Sequence, residues 1–207
     1  MLTNLVTTAT LITLLNLTPF NKPQEQVLSA NSISLNNRQP VVAVNEVFKY
    51  NILLTLAYLK GEPKGANPIN LNEVEFTLQP GQVFAFHEDI LPEYQDKVVR
   101  VTGAHFNGND GFKSDGYLMG DGVCHLASLI YMAAKNAGLE AKSPTSHDFA
   151  LINQVPREYG ASIYFNPGSQ TANARQNVYV VNNKSNPVSF QFTFDGDNLK
   201  LAVVELL

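Results

Sequence analysis

Cysteine is nearly absent from this chain of 207 residues: Cys124 is the only one. One cysteine excludes an internal disulfide framework and any cysteine-rich zinc site. Charge is also scarce. Asp, Glu, Lys and Arg make up 15% of the residues, well under the usual quarter, and Asn, Gln, Ser and Thr take their place. That composition is commoner on secreted surfaces than on cytosolic enzymes. Lys and Arg form no cluster, and the net charge is −4, so nothing electrostatic recommends a nucleic-acid partner. His87 and His105 stand far apart with neither HExxH nor paired spacing, so no metal site or other cofactor is expected.

Hydrophobic residues reach 44%, enough for a sizeable core in one domain. The first charged side chain is Lys22, and Leu5 to Leu17 is an apolar run diluted by threonines. It is shorter than the roughly 20 apolar residues of a membrane span and fits a signal h-region of about 7–15. Residues 1–22 are therefore expected to be a signal peptide or membrane anchor, the only membrane contact of an exported protein. Residues 23–45, broken by Pro23 and Pro40 and filled with Gln, Asn and Ser, are expected to be a linker. Residues 46–207 are expected to be a single α+β domain.

Within that domain Asn45 is the expected N-cap of a helix running to Lys60, with Gly61 closing it. Strands are expected at Val74–Gln79, Val83–His87, Lys97–Thr102, His147–Ile152, Ala161–Phe165, Asn177–Val181, Val188–Phe194 and Leu199–Glu205. Pro80-Gly81 and Asp195-Gly196 mark turns. Residues 103–122 are rich in Gly, Asn and Asp; so long an irregular segment usually carries function. A second helix is expected over Val123–Ala137, where Val123, Leu126, Ala127, Ile130, Tyr131 and Ala134 recur with helical period. Leu126, Ile130 and Ala134 should be buried, and Lys135 and Asn136 exposed. Helices set apart from a mostly antiparallel sheet define the α+β class.

Gly120-Asp121-Gly122-Val123-Cys124-His125 reads as a loop entering that central helix. With Asp121 as N-cap, Cys124 falls in the first turn. Unpaired N–H groups and the macrodipole there favour a thiolate and lower its pKa. The turn of Gly120, Asp121 and Gly122 would supply an oxyanion site. A thiol nucleophile needs a base, and His147 follows 23 residues later. A helix-borne Cys followed by a strand-borne His is the chain order of transglutaminase-like and papain-like thiol enzymes. His125 diverges from its neighbour by about 100° on a helix and is read as lining the cleft rather than as the base. The bland readings stand beside these: a lone Cys is commonly a small buried hydrophobe, and His147 a surface or capping residue.

The same stretch resembles the VanW family. The GDGVCH turn, Leu129-x-Tyr131, Ala137-Gly138-Leu139 and His147 follow the family's GGGVCQ-like turn, Leu-Tyr pair, Gly-Leu ending and His-Ser. Leu78-Gln79-Pro80-Gly81-Gln82-Val83-Phe84-Ala85-Phe86 is similar to its LxPGxxFSFN segment, and Val181-Asn182-Asn183 to its FxNN strand. The resemblance covers about residues 74–194 in order. It implies an extracytoplasmic bacterial envelope protein, with no settled reaction. Asp121 and His125 replace the usual Gly and Gln. The family's Gly-x-Asp-Ala-Thr-Val run is matched by Glu158-Tyr159-Gly160-Ala161-Ser162-Ile163, with no Asp in place. If that acid orients the histidine, Glu158 or Asn177 would have to replace it.

Two functions follow. One is cysteine-dependent acyl transfer or amide hydrolysis on cell-wall peptides or protein amides, with Cys124 attacking and His147 as base. The other is a non-catalytic envelope module that binds wall peptides or a protein partner; a structural spacer with a buried Cys is the remaining reading.

Overall fold

The computed structural model describes residues 24–65, 67–68, 71–117 and 119–207. The expected signal or anchor at Leu5–Leu17 lies outside them. Among the described residues no helix is long and apolar enough to cross a membrane.

The chain is α+β and its described residues form two four-stranded sheets. In chain order the elements are β1 (Glu25–Ser34), α1 (Val42–Lys60), β2 (Glu73–Leu78), β3 (Val83–Ala85), β4 (Val99–Arg100), α2 (Val123–Asn136), β5 (Glu140–Lys142), α3 (Gln170–Arg175), β6 (Tyr179–Val181), β7 (Val188–Phe194) and β8 (Asn198–Leu206). The first sheet has the order β1-β8-β7-β2 and is antiparallel throughout. The second has the order β4-β3-β6-β5, and its β3–β4 pair is parallel.

Alternation builds the first sheet. Val74, Phe76 and Leu78 of β2 and Leu199, Leu201 and Val203 of β8 turn inward at every second position, as the period of a strand requires. Phe76 lies opposite Phe190 in register, and the two rings stack at 4.8 Å with 4° between planes. Phe76 also stacks on Phe84 of β3 at 4.9 Å, so an aromatic contact joins the two sheets. The Pro80-Gly81 turn therefore does not fold a hairpin; it carries the chain from one sheet to the other. The Asp195-Gly196 turn does join neighbouring strands, β7 and β8.

Both helices pack on this framework. α1 meets β2 and α2, while α2 also meets β1, β8, β5 and β6, which makes it the central element. Leu126, Ile130 and Ala134 are fully buried and Lys135 and Asn136 exposed, as the periodicity predicts. α1 is buried nearly all round because sheet, helix and loops cover it.

The expected linker at residues 23–45 is corrected. Residues 25–34 form an edge strand paired with β8 from Glu25↔Leu206 to Ser34↔Asn198, and Ser29 donates to the Ala133 carbonyl of α2 at 2.8 Å. Most of its side chains are polar and half are exposed, so no hydrophobic alternation betrays it. Ile33 and the following Leu35 are fully buried. Asn45 is not the N-cap either: α1 begins at Val42. The Asn45 carboxamide instead accepts from Arg38 N–H (2.7 Å) and Gln39 N–H (3.2 Å) and donates to the Leu35 carbonyl (3.0 Å), closing the turn ahead of the helix. The strands expected at His147–Ile152 and Ala161–Phe165 reduce to one bridge, Ser146↔Ala161.

A chain starting at Asn45 should lose cooperative unfolding in urea relative to one starting at Gln24. Losing Ile33 and Leu35 removes roughly 2–5 kcal/mol each from a total of only about 5–15. Equal midpoints for the two would return residues 24–44 to the status of a linker.

Candidate functional site

Two helices meet where the irregular segment enters α2. Gly122 is the N-cap of α2, with φ +94°, a left-handed conformation that costs other residues about 1–2 kcal/mol. A Cβ there would lie 2.7 Å from the Phe48 carbonyl oxygen and 2.9 Å from Phe48 Cα. The turn thus rests directly on the backbone of α1. Asn51, one helical turn on and fully buried, donates to the Lys113 and Asp121 carbonyls (2.9 Å each) and accepts from Lys113 N–H (2.9 Å). Asp121 is therefore no cap; its carboxylate accepts from Asp115 N–H at 2.9 Å, and burial raises its pKa.

On the other side, Ser128 of α2 donates to the Cys124 carbonyl (2.7 Å) and accepts from Ala161 N–H (2.8 Å). Gly160 packs so closely that a Cβ would meet the His147 carbonyl oxygen at 2.8 Å, and its own carbonyl accepts from His147 N–H at 3.1 Å. These contacts bring the 146–151 loop and Ile163–Tyr164 against the start of α2. The resulting cavity, about 130 Å³, is lined by Cys124, His125, His147, Asp121, Phe149 and Ile163 among others. A second cavity of about 260 Å³ adjoins it through Met119, Gly120, Ile163 and Tyr164.

Cys124 is the second residue of α2 and half-buried. Its sulfur accepts from Ile163 N–H at 3.4 Å and donates to the Ile163 carbonyl at 3.6 Å. Burial pushes the thiol up to about 11, against the backbone N–H groups that favour the thiolate, and the Asp121 charge adds to the rise. The depressed pKa expected from the helix terminus is thus overturned: desolvation of the charged form outweighs the dipole. The N–H groups of Gly120, Val123 and His125 are taken by the Lys113, Gly120 and Gly122 carbonyls; the turn does not offer these donors to an oxyanion.

His147 lines the same cavity from a loop rather than a strand. Its Nδ1 lies 3.2 Å from the Ala150 carbonyl and its ring 4.0 Å from that of Phe149. Burial lowers its pKa. Neither proposed third member reaches it. Glu158 is exposed, on the short turn Arg157–Tyr159. Asn177 is fully buried but serves the β3 end, donating to the His87 and Asp89 carbonyls and accepting from Phe86 N–H. The Ala150 carbonyl holds the place an acid would occupy. His125 packs its ring 5.1 Å from Phe48 and 6.2 Å from His147. Burial holds it neutral down to about 3, and its Nδ1 has no hydrogen-bond partner among the described residues.

A family model described as VanW like protein matches residues 70–204. The chain belongs to the VanW family. Membership carries an association with the cell envelope and no reaction. No curated protein and no solved structure matches the chain. The VanW match begins after α1, yet Phe48 and Asn51 of that helix hold the cleft together. Asn51, Ser128 and Gly160 were not foreseen as site residues; an Asn inside the otherwise apolar Asn51–Leu54 run was the available signal. Among the described residues no group of three His, Cys, Asp or Glu is placed to hold a metal ion.

Alkylation of native Cys124 by iodoacetamide should be slow at pH 7 and climb about tenfold per pH unit to pH 10 without a plateau, as for a thiol titrating above that range. His147→Ala should leave the profile unchanged, because the sulfur is bonded to Ile163. A plateau below about pH 8.5, lost in His147→Ala, would show a thiolate–imidazolium pair instead.

Proposed function

We propose that the chain is an extracytoplasmic cell-envelope domain that binds a peptide of the cell wall in the cleft at the start of α2. One observation carries this reading. Tyr117, Met119, Phe149, Leu151 and Tyr164 are between 54% and 93% exposed, and all five rim the two adjoining cavities. Large apolar side chains scattered singly on a surface need no explanation, whereas a contiguous group around a concavity marks a binding site. The high thiol pKa and the Ile163 contacts favour binding over nucleophilic attack, and the family's envelope association supports the location.

One observation favours the alternative, thiol-dependent amide chemistry in a transglutaminase-like or papain-like arrangement. With Nδ1–H donated to Ala150, His147 would keep a free lone pair on Nε2, the tautomer a general base needs, in the same cleft as Cys124. The thiol would have to leave Ile163 to use it.

Binding should be measured with purified peptidoglycan in a pelleting assay and with its soluble stem peptides by NMR titration. The double variant Phe149→Ser/Leu151→Ser should bind at least about tenfold more weakly, the effect of losing roughly 1.4 kcal/mol of apolar contact, while melting with the parent protein because both side chains are exposed. Undiminished binding by the variant would remove the cleft from the account. A change in peptide mass that Cys124→Ala abolishes would establish the enzyme reading.

A further inference from the structure

One imidazole away from the cleft floor has a carboxylate at each of its nitrogens. His105 Nε2 lies 2.7 Å from Glu88 Oε1, and its Nδ1 lies 3.0 Å from Asp110 Oδ2. A carboxylate only accepts, and a neutral imidazole has a single N–H. Both contacts are hydrogen bonds at once only when the ring is an imidazolium. Losing the proton leaves a lone pair facing one of the two carboxylates.

The two acids are not equally placed. The Asp110 side chain is 1% exposed. It also accepts from Lys64 Nζ at 2.6 Å and from the His105 backbone N–H at 2.8 Å. Glu88 is 44% exposed, and among the described residues its carboxylate has no hydrogen-bond partner but His105. Taking a donor from a buried acceptor costs more than returning an exposed carboxylate to water. A neutral ring therefore keeps its N–H on Nδ1 for Asp110 and gives up Glu88. The other groups facing the ring do not replace that bond. Phe165 packs against it at 4.8 Å between ring centres. His87 is buried, which lowers its pKa, and its Nε2 lies 3.0 Å from the Gln176 carbonyl. Asp89 accepts from Asn173 at 2.7 Å.

The Glu88–His105 bond joins two parts of the chain. Glu88 follows β3 and lines a cavity of about 430 Å³. His105 lines the cavity of about 260 Å³ and lies on the irregular segment that leads to Tyr117 and Met119. The next residue, Phe106, has φ +55°, a conformation that bulky side chains rarely adopt. Such backbone persists where the structure around it holds it in place.

We propose that His105 is a proton-operated clasp between these two parts. With its proton, the imidazolium ties Glu88 to Asp110 and holds residues 103–111 against the end of β3. When the proton leaves to solvent, the ring stays with Asp110 and Glu88 swings free. The wall of the 430 Å³ cavity then carries an unpaired carboxylate. The clasp does not depend on what the cleft at α2 binds.

The test follows the full chain by NMR from about pH 5.5 to about pH 9, which spans ordinary imidazole titration and lies above that of carboxylic acids. Two-bond ¹H–¹⁵N spectra read the protonation of each His105 ring nitrogen. Three-bond couplings read whether the Glu88 side chain keeps one rotamer. At the acid end both ring nitrogens should carry N–H and Glu88 should hold a single rotamer. At the alkaline end the ring should be neutral with its N–H on Nδ1, and the Glu88 couplings should average. In Glu88→Gln the side-chain amide accepts from the charged ring and donates to the neutral one, so that side chain should stay fixed at both ends. Any of four results overturns the clasp: constant ring protonation across the range, a neutral ring with its N–H on Nε2, Glu88 couplings that do not change as the ring titrates, or a Glu88→Gln side chain that is released like the parent's.

Discussion

The backbone of α1 at Phe48 and the turn at Gly122 are in direct contact, with no space for a side chain between them. Everything that makes the cleft follows from that approach. It sets where α2 begins, and so where Cys124 and His125 stand. It brings Asn51 within reach of Lys113 and Asp121, which fixes both ends of the segment carrying Tyr117 and Met119. Protein interiors are close-packed and transmit displacement, so a shift at this joint would move rim and floor together. The helix that provides the joint lies outside the span matched by the VanW family, yet the cleft depends on it.

Burial decides the chemistry of the side chains gathered there. A helix N-terminus favours a thiolate by a modest amount, typically about 0.3–1 kcal/mol near a surface. Removing the sulfur from water opposes it and prevails, leaving the thiol up at about 11. The same desolvation holds His125 neutral and lowers the pKa of His147. Cys124, His125 and His147 are thus uncharged hydrogen-bonding groups beneath an apolar rim, with Asp121 beside them.

Strong periodicity and strong turn chemistry were legible in the amino-acid sequence. The helical spacing from Val123 to Ala134 marks α2, and Asp195-Gly196 marks the β7–β8 hairpin. Cys124, His125 and His147 line one cavity. Other features carried no readable signal. β1 is a polar strand at the edge of its sheet among the described residues, and such strands are commonly kept polar, so it reads like a linker. The apolar residues at 149–152 read as part of a strand, but Phe149 and Leu151 are turned outward onto the rim. Glu158 and Asn177 lie within reach of His147 along the chain, and only the path of the loops places them elsewhere. Close approaches such as Gly122 on Phe48 and Gly160 on His147 are properties of packing between distant segments, which composition and spacing do not encode.

The joint between α1 and α2 is tested most directly by comparing Gly122→Ala with Gly81→Ala in urea denaturation. Both positions have positive φ, +94° and +76°, but a Cβ at Gly81 would meet nothing within 4 Å. Backbone strain is therefore common to the two, and the contact with Phe48 belongs to Gly122 alone. The account predicts that Gly122→Ala loses at least about 2 kcal/mol more than Gly81→Ala, within the range of a forced overpacking. Equal losses in the two variants would contradict it.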